Sequence, residues 1–109
     1  MRVNIAITKH AQEQVKSAIR FRARSQGESI ARDRVKAAIT NWKVQLETMP
    51  ESGKACAYFD DLQFREMIKG DYRLVYEIRK KEDTYNIYLL IFCHVRMNYE
   101  TLIRQFNQI

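Results

Sequence analysis

Gly70-Asp71-Tyr72-Arg73-Leu74-Val75-Tyr76-Glu77-Ile78-Arg79, continued beyond Lys80–Thr84 by Tyr85-Asn86-Ile87-Tyr88-Leu89-Leu90-Ile91-Phe92-Cys93-His94-Val95, is the stretch that decides the fold. β-Branched and aromatic residues dominate both runs, and such side chains fit a pleated surface. In the first run Leu74, Tyr76 and Ile78 alternate with Arg73, Val75, Glu77 and Arg79, the period of a strand. The second run is apolar on both faces for most of its length, which predicts a strand in the middle of a sheet. Lys80–Thr84 is charged and predicts the hairpin loop between them. Just upstream, Leu62–Lys69 reads as a further strand, joined to Tyr72 by a tight turn at Gly70-Asp71.

Towards the N-terminus the apolar period changes from two to that of a helix. Ile30, Val35, Ala38, Ile39, Trp42, Leu46 and Met49 predict an amphipathic helix that starts at Glu28 or Ser29 and is stopped by Pro50 and Gly53. Lys9–Arg24 predicts an earlier helix with Thr8 as its N-cap, Gly27 as its break, and Ala11, Val15, Ala18, Ile19 and Phe21 as its apolar residues. Val3–Ile7 alternates as a short strand, and Asn98–Phe106 predicts a short closing helix packed through Leu102, Ile103 and Phe106. The order β-α-α-β-β-β, with that short C-terminal helix, gives an α+β fold. An N-terminal strand and an αα-hairpin pack on a mainly antiparallel, twisted sheet. Without repeats or a linker-like segment, residues 1–109 read as one domain.

Composition narrows the function classes. Nineteen Lys and Arg stand against thirteen Asp and Glu, a net charge of +6, which favours an anionic partner such as nucleic acid or an acidic protein segment. Six of these cations, Arg20, Arg22, Arg24, Arg32, Arg34 and Lys36, crowd around Gly27 at the hairpin tip. Cys56 and Cys93 lie far apart, and His10 and His94 are the only histidines, so no metal or cofactor is expected. Both thiols are expected free and packed. The segment between Arg2 and Lys9 is too short for a secretory leader, and no apolar run reaches membrane-spanning length, so a cytoplasmic protein without membrane contact is expected.

Phe64-Arg65-Glu66, then Gly70 to Ile78 with Tyr72-Arg73 at its head, resembles the signature of the RelE/ParE superfamily of toxins from type II toxin–antitoxin systems. Ile91-Phe92-Cys93-His94-Val95-Arg96 is similar to the strand end where that family carries His-x-Arg or a basic cluster. Leu46-Glu47-Thr48-Met49-Pro50-Glu51-Ser52-Gly53 is similar to the Leu…Pro-x-x-Gly close of the second helix in ParE-type members. The resemblance spans nearly the whole chain, with its specific residues between Leu46 and Arg96.

What it implies is a growth-inhibiting toxin, of the kind linked to plasmid stabilisation, held in check by a small cognate antitoxin with an acidic toxin-binding segment and a DNA-binding dimer half. Two activities fit. ParE-type members bind DNA gyrase and trap it without being enzymes. RelE-type members are ribonucleases that cut messenger RNA, often on the ribosome. A non-toxic relative that only binds its antitoxin is the third alternative.

If the strand faces that carry them all point away from the helices, Arg65, Arg73, His94 and Arg96 converge on one open surface that could bind target or antitoxin. Guanidinium forks suit phosphate or carboxylate there. In a ribonuclease Arg65, Arg73, His94, Arg96 and Tyr99 would be the catalytic set. His94 would be the titrating group, because its ordinary pKa lies near neutral. Cys93 would point away from His94, which argues against a Cys–His pair. RelE-type nucleases often place two lysines on the strand before the Tyr-Arg strand, where this chain has Arg65-Glu66-Met67 with a single cation. That difference favours the ParE-like reading.

Overall fold

The apolar runs form the elements that their periods dictate. The computed structural model describes residues 1–97 and 99–107, with the backbone alone at 99 and 105–107. Chain order is β1 (Arg2–Ile7), α1 (Lys9–Gln26), α2 (Glu28–Thr48), β2 (Lys54–Ala55), β3 (Phe64–Lys69), β4 (Tyr72–Lys81), β5 (Thr84–His94) and α3 (Tyr99–Asn107). The strands make one sheet in the order β1-β5-β4-β3-β2, parallel between β1 and β5 and antiparallel elsewhere. β5 lies inside the sheet, as its apolar residues on both faces require.

Each face of the sheet is covered differently. Against the α1–α2 hairpin, Trp42 and Leu46 pack with Leu74, Tyr76, Ile87, Leu89 and Phe92. Trp42 meets Tyr76 edge to face at 5.5 Å, the favoured arrangement for an aromatic pair. On the opposite face Ile103 of α3 and Cys56 pack with Val75, Ile91 and Cys93. There the ring of Phe59 stacks on Phe64 at 4.4 Å.

The stripe of α2 differs from the expected one at both ends. Ala31, Val35, Ala38, Trp42 and Leu46 are buried, in steps of four, three, four and four, whereas Ile30 is 50% exposed and Met49 56%. Ile30 broke the expected spacing with a step of five, and helix geometry rather than hydrophobicity chose its neighbour. Phe21 of α1 is likewise 71% exposed. β3 starts at Phe64 and leaves Leu62 exposed, while β4 and β5 run further into the hairpin, so that only Glu82 and Asp83 form its turn. The two-residue β2 was not anticipated. The side chain of Phe106 lies outside the described residues.

α1 and α2 are joined by Gly27 alone, at φ 87° and ψ 155°. This region is open to glycine and strained for any side chain. Its N–H closes α1 on the Ala23 carbonyl, and its carbonyl accepts from Ala31 N to open α2. One residue therefore serves as the end of one helix and the start of the next, so the hairpin tip is tight.

Burial also sets the alkaline behaviour. The Tyr76 hydroxyl is pushed up to about 12 and the Cys93 thiol to about 11, in both cases chiefly because the interior disfavours the anion. Groups whose pKa rises on folding stabilise the native state below their unfolded values, here 10.0 and 9.0. That stability should fall as the pH rises from 9 through 12. Urea midpoints measured from pH 8 to 11.5 are expected to decline across this window, and Tyr76→Phe should flatten its upper part. A midpoint constant up to pH 11.5 would contradict the burial argument.

Candidate functional site

A concavity arises because β1 is shorter than the strand beside it. β1 stops at Ile7, opposite Leu89, while β5 continues to His94. Thr8 turns the chain out of the sheet: its hydroxyl donates to the Leu89 carbonyl at 2.7 Å and accepts from Ala11 N at 3.2 Å as the cap of α1. Helix α1 then runs beside the second half of β5. Between them opens a groove of about 1070 Å³. Residues from Gln14 to Gln26 of α1, Asp71 and Tyr72, the chain from Phe92 to Met97, and Leu102 line it.

A β-bulge decides which β5 side chains face this groove. Tyr76 pairs with Leu89 but Val75 pairs with Ile91, so Leu90 is an extra residue in β5. Before it Ile87 and Leu89 face the helices; after it Phe92 takes that face, with His94 two residues on. His94 lies edge-on to the Tyr72 ring at 5.9 Å, and Tyr72 stacks on Phe92 at 4.9 Å. Cys93 packs on the opposite side, as alternation from His94 requires.

Above Tyr72 sits the best-formed polar contact of the groove. Arg22 of α1 reaches Asp71 at 2.9 Å and the Tyr72 hydroxyl at 3.3 Å, and its side chain is only 14% exposed. The Tyr72 and Asp71 oxygens favour its charged form, and in return Arg22 holds the Asp71 carboxyl below the usual carboxylate range. This clasp ties the C-terminal half of α1 to the β3–β4 turn. Arg20, Arg24 and Arg96 remain exposed along the groove. Its electrostatics are therefore cationic, with Asp71 the acidic residue of the lining.

The four expected binding residues do not converge. His94 and Arg96 share the groove, and the Arg96 backbone N–H donates to His94 Nδ1 at 3.1 Å. Arg73 pairs across the sheet with Ile68 and Cys93 and faces the opposite side, near Cys56, Cys93 and Glu66. Arg65 pairs with Tyr76 and lies on the helix side, where its guanidinium donates to the backbone carbonyls of Leu62, Gly53 and Glu51 at 2.8, 3.0 and 3.3 Å. It holds the segment that follows α2. The side chain of Tyr99 lies outside the described residues.

The condition that all these faces point away from the helices is therefore not met, for two geometric reasons. The two-residue turn at Gly70-Asp71 sets Arg65 and Arg73 on opposite faces, and the extra residue Leu90 turns His94 away from Arg73. Sequence reasoning passed over Gln14, Asp71 and Met97 as site residues. An acid in a turn facing an arginine-rich helix is the signal that could have found Asp71. Among the described residues no cluster of His, Cys, Asp or Glu could hold a metal ion, and no helix is long and apolar enough to cross a membrane.

Known proteins share this architecture. A chain of the chromosomal ParDE toxin–antitoxin system from P. aeruginosa superimposes with a TM-score of 0.64 at 14% identity, covering 86% of this chain and 97% of its own. A chain of the toxin–antitoxin complex RelBE2 from Mycobacterium tuberculosis gives 0.58 at 18% identity, covering 86% and 99%. The YoeB/ParE toxin from Agrobacterium tumefaciens gives 0.54 at 11% identity, covering 84% and 97%. At such identities these likenesses speak for the fold. No curated protein sequence matches. The sequence itself fits the model of the ParE toxin of the type II toxin–antitoxin system parDE over residues 5–99, from the middle of β1 to the start of α3. With the hairpin, strands β2 to β5 and the Tyr72-Arg73 signature all inside that span, the chain belongs to the ParE toxin family of type II toxin–antitoxin systems.

Proposed function

We propose that this chain acts as a ParE-like toxin that inhibits DNA gyrase by binding rather than by catalysis, and so blocks replication in the cytoplasm until a cognate antitoxin neutralises it. The observation that carries this reading is the separation of Arg65, Arg73 and His94. Metal-independent RNA cleavage needs a base, cations at the phosphorane and an acid within reach of one phosphate. Here Arg65 is engaged with backbone carbonyls under α2, Arg73 faces the side of the sheet that carries α3, and His94 faces the groove. Arg73 is therefore proposed as a binding residue, and Arg65 as a structural one.

The tip of the hairpin supports a protein-binding mode. Phe21 and Ile30 stay exposed there among Arg20, Arg24 and Arg34, an apolar and cationic surface that suits a protein partner more than a catalytic cleft. Expressing the chain with and without the antitoxin encoded beside its gene tests the toxin reading, and absence of a growth defect would sink it. Purified protein is then expected to make cleaved DNA accumulate in a gyrase reaction. Discrete cuts in messenger RNA on translating ribosomes, with gyrase untouched, would replace this reading with the RelE-like one.

A further inference from the structure

We infer that the acidic loop before β3, which carries Tyr58, Asp60, Asp61 and Leu62, docks into the α1–β5 groove of a second copy of this chain. Copies of the protein thereby cover one another's grooves.

Between β2 and β3 the chain belongs to no strand or helix, yet its backbone is tied down. Phe59 N donates to the Cys56 carbonyl at 3.3 Å and Phe64 N to the Asp61 carbonyl at 3.1 Å, while Gln63 N donates to the Asp61 carboxylate at 3.0 Å. Arg65 holds the Leu62 carbonyl at 2.8 Å, and Phe59, stacked on Phe64, pins the centre of the loop to the sheet. This fixed backbone presents Leu62, 70% exposed, Tyr58, 44% exposed, and the exposed carboxylates of Asp60 and Asp61. Among the described residues neither carboxylate has an ion-pair partner. Order established in advance lowers the entropy cost of binding, and apolar surface left bare on an ordered loop marks a contact.

The groove offers the complementary surface. Its exposed apolar side chains are Phe21 and Met97, and its exposed cations are Arg20, Arg24 and Arg96, while Asp71 is already engaged by Arg22. Carboxylates opposite guanidinium groups, with leucine against phenylalanine and methionine, match in charge and in apolarity. Within one chain the two surfaces cannot meet. The loop leads into Phe64, which pairs with Glu77 and through it with Tyr88, whereas the groove lies where Tyr72 pairs with His94, towards the other end of β4 and β5. Both halves of the contact are thus on one polypeptide, at opposite ends of its sheet, and only a second copy brings them together. The net charge of +6 opposes association between copies, so this local match makes a reversible contact.

Sedimentation velocity of the purified chain tests this, and its average mass is expected to rise with concentration. Asp60→Lys with Asp61→Lys reverses the loop, and Arg24→Glu with Arg96→Glu reverses the groove. Each pair should raise the dissociation constant of self-association by at least about tenfold. An equimolar mixture of the two reversed proteins should associate again. There the unaltered loop of one meets the unaltered groove of the other, and the two reversed surfaces also match in sign. Leu62→Ser keeps both carboxylates and should by itself weaken association roughly tenfold, so it decides the matter should a charge-reversed protein fail to fold. A chain that stays monomeric at every concentration would overturn the proposal. So would association that Leu62→Ser or either reversal leaves unchanged, or a mixture of the folded reversed proteins that stays monomeric.

Discussion

Gly53→Ala is expected to lower the melting temperature by roughly 10–20 °C, the consequence of about 3 kcal/mol of overpacking in a domain of this size. A Cβ at this position would fall 1.8 Å from the Tyr76 hydroxyl oxygen and 2.9 Å from its ring carbon, with the Glu66 carbonyl oxygen at 3.2 Å. Neither neighbour can move freely. Tyr76 is fully buried and wedged against Trp42, and the Glu66 carbonyl belongs to β3. The rescue is specific. Among the described residues the Tyr76 hydroxyl has no hydrogen-bond partner, so Tyr76→Phe alone should cost little stability. In the double variant the worst clash is gone and about half the lost stability should return. Urea denaturation of the two single variants and the double variant checks this. Additive losses would show that Gly53 is needed for some reason other than the approach of Tyr76.

Arg65→Ala is expected to destabilise the protein by about 2 kcal/mol, less than the simple sum of three charge-assisted bonds because the site is partly exposed to water. The guanidinium joins Leu62, Gly53 and Glu51 through their carbonyls and thereby fixes both ends of the chain between α2 and β3. Lysine should not restore the loss, because an ammonium group cannot reproduce the planar fork that spans these acceptors. Limited proteolysis should cut the variant between residues 50 and 63 faster than the parent, while the antitoxin affinity of the folded fraction stays unchanged. A stable Arg65→Ala protein with weakened binding would return this arginine to the set of contact residues.

These two predictions show why part of the fold was legible in the sequence and part of the site was not. Element order, helix boundaries near Thr8 and Gly27, and the inner position of β5 follow from local periodicity, which the folded chain keeps. The Pro50 to Gly53 segment could be recognised, but its partner could not. The need for glycine comes from Tyr76, on a strand more than twenty residues away in sequence.

The site depended on knowing which way side chains face. With a two-residue turn between β3 and β4, Lys69 pairs with Tyr72 and Arg65 must pair with Tyr76, so Arg65 and Arg73 separate. The tight turn at Gly70-Asp71 was recognised, and this consequence was available from it. The bulge at Leu90 was not available. Nothing in Tyr88-Leu89-Leu90-Ile91-Phe92 marks where an extra residue sits when every position is apolar, because burial on both faces erases the alternation. Similarly, Ile30 and Ala31 compete for one helical position, and only packing shows that the smaller one is inside.

Leu90 gives the sheet a parity change. In β5 odd-numbered residues up to Leu89 look towards the helices; beyond the bulge the even-numbered residues do. Side chains thus reach one surface or the other by their count along the strand as well as by their identity. Were the same strand paired without this extra residue, His94 would move from the groove to the face that holds Arg73, with every amino acid unchanged.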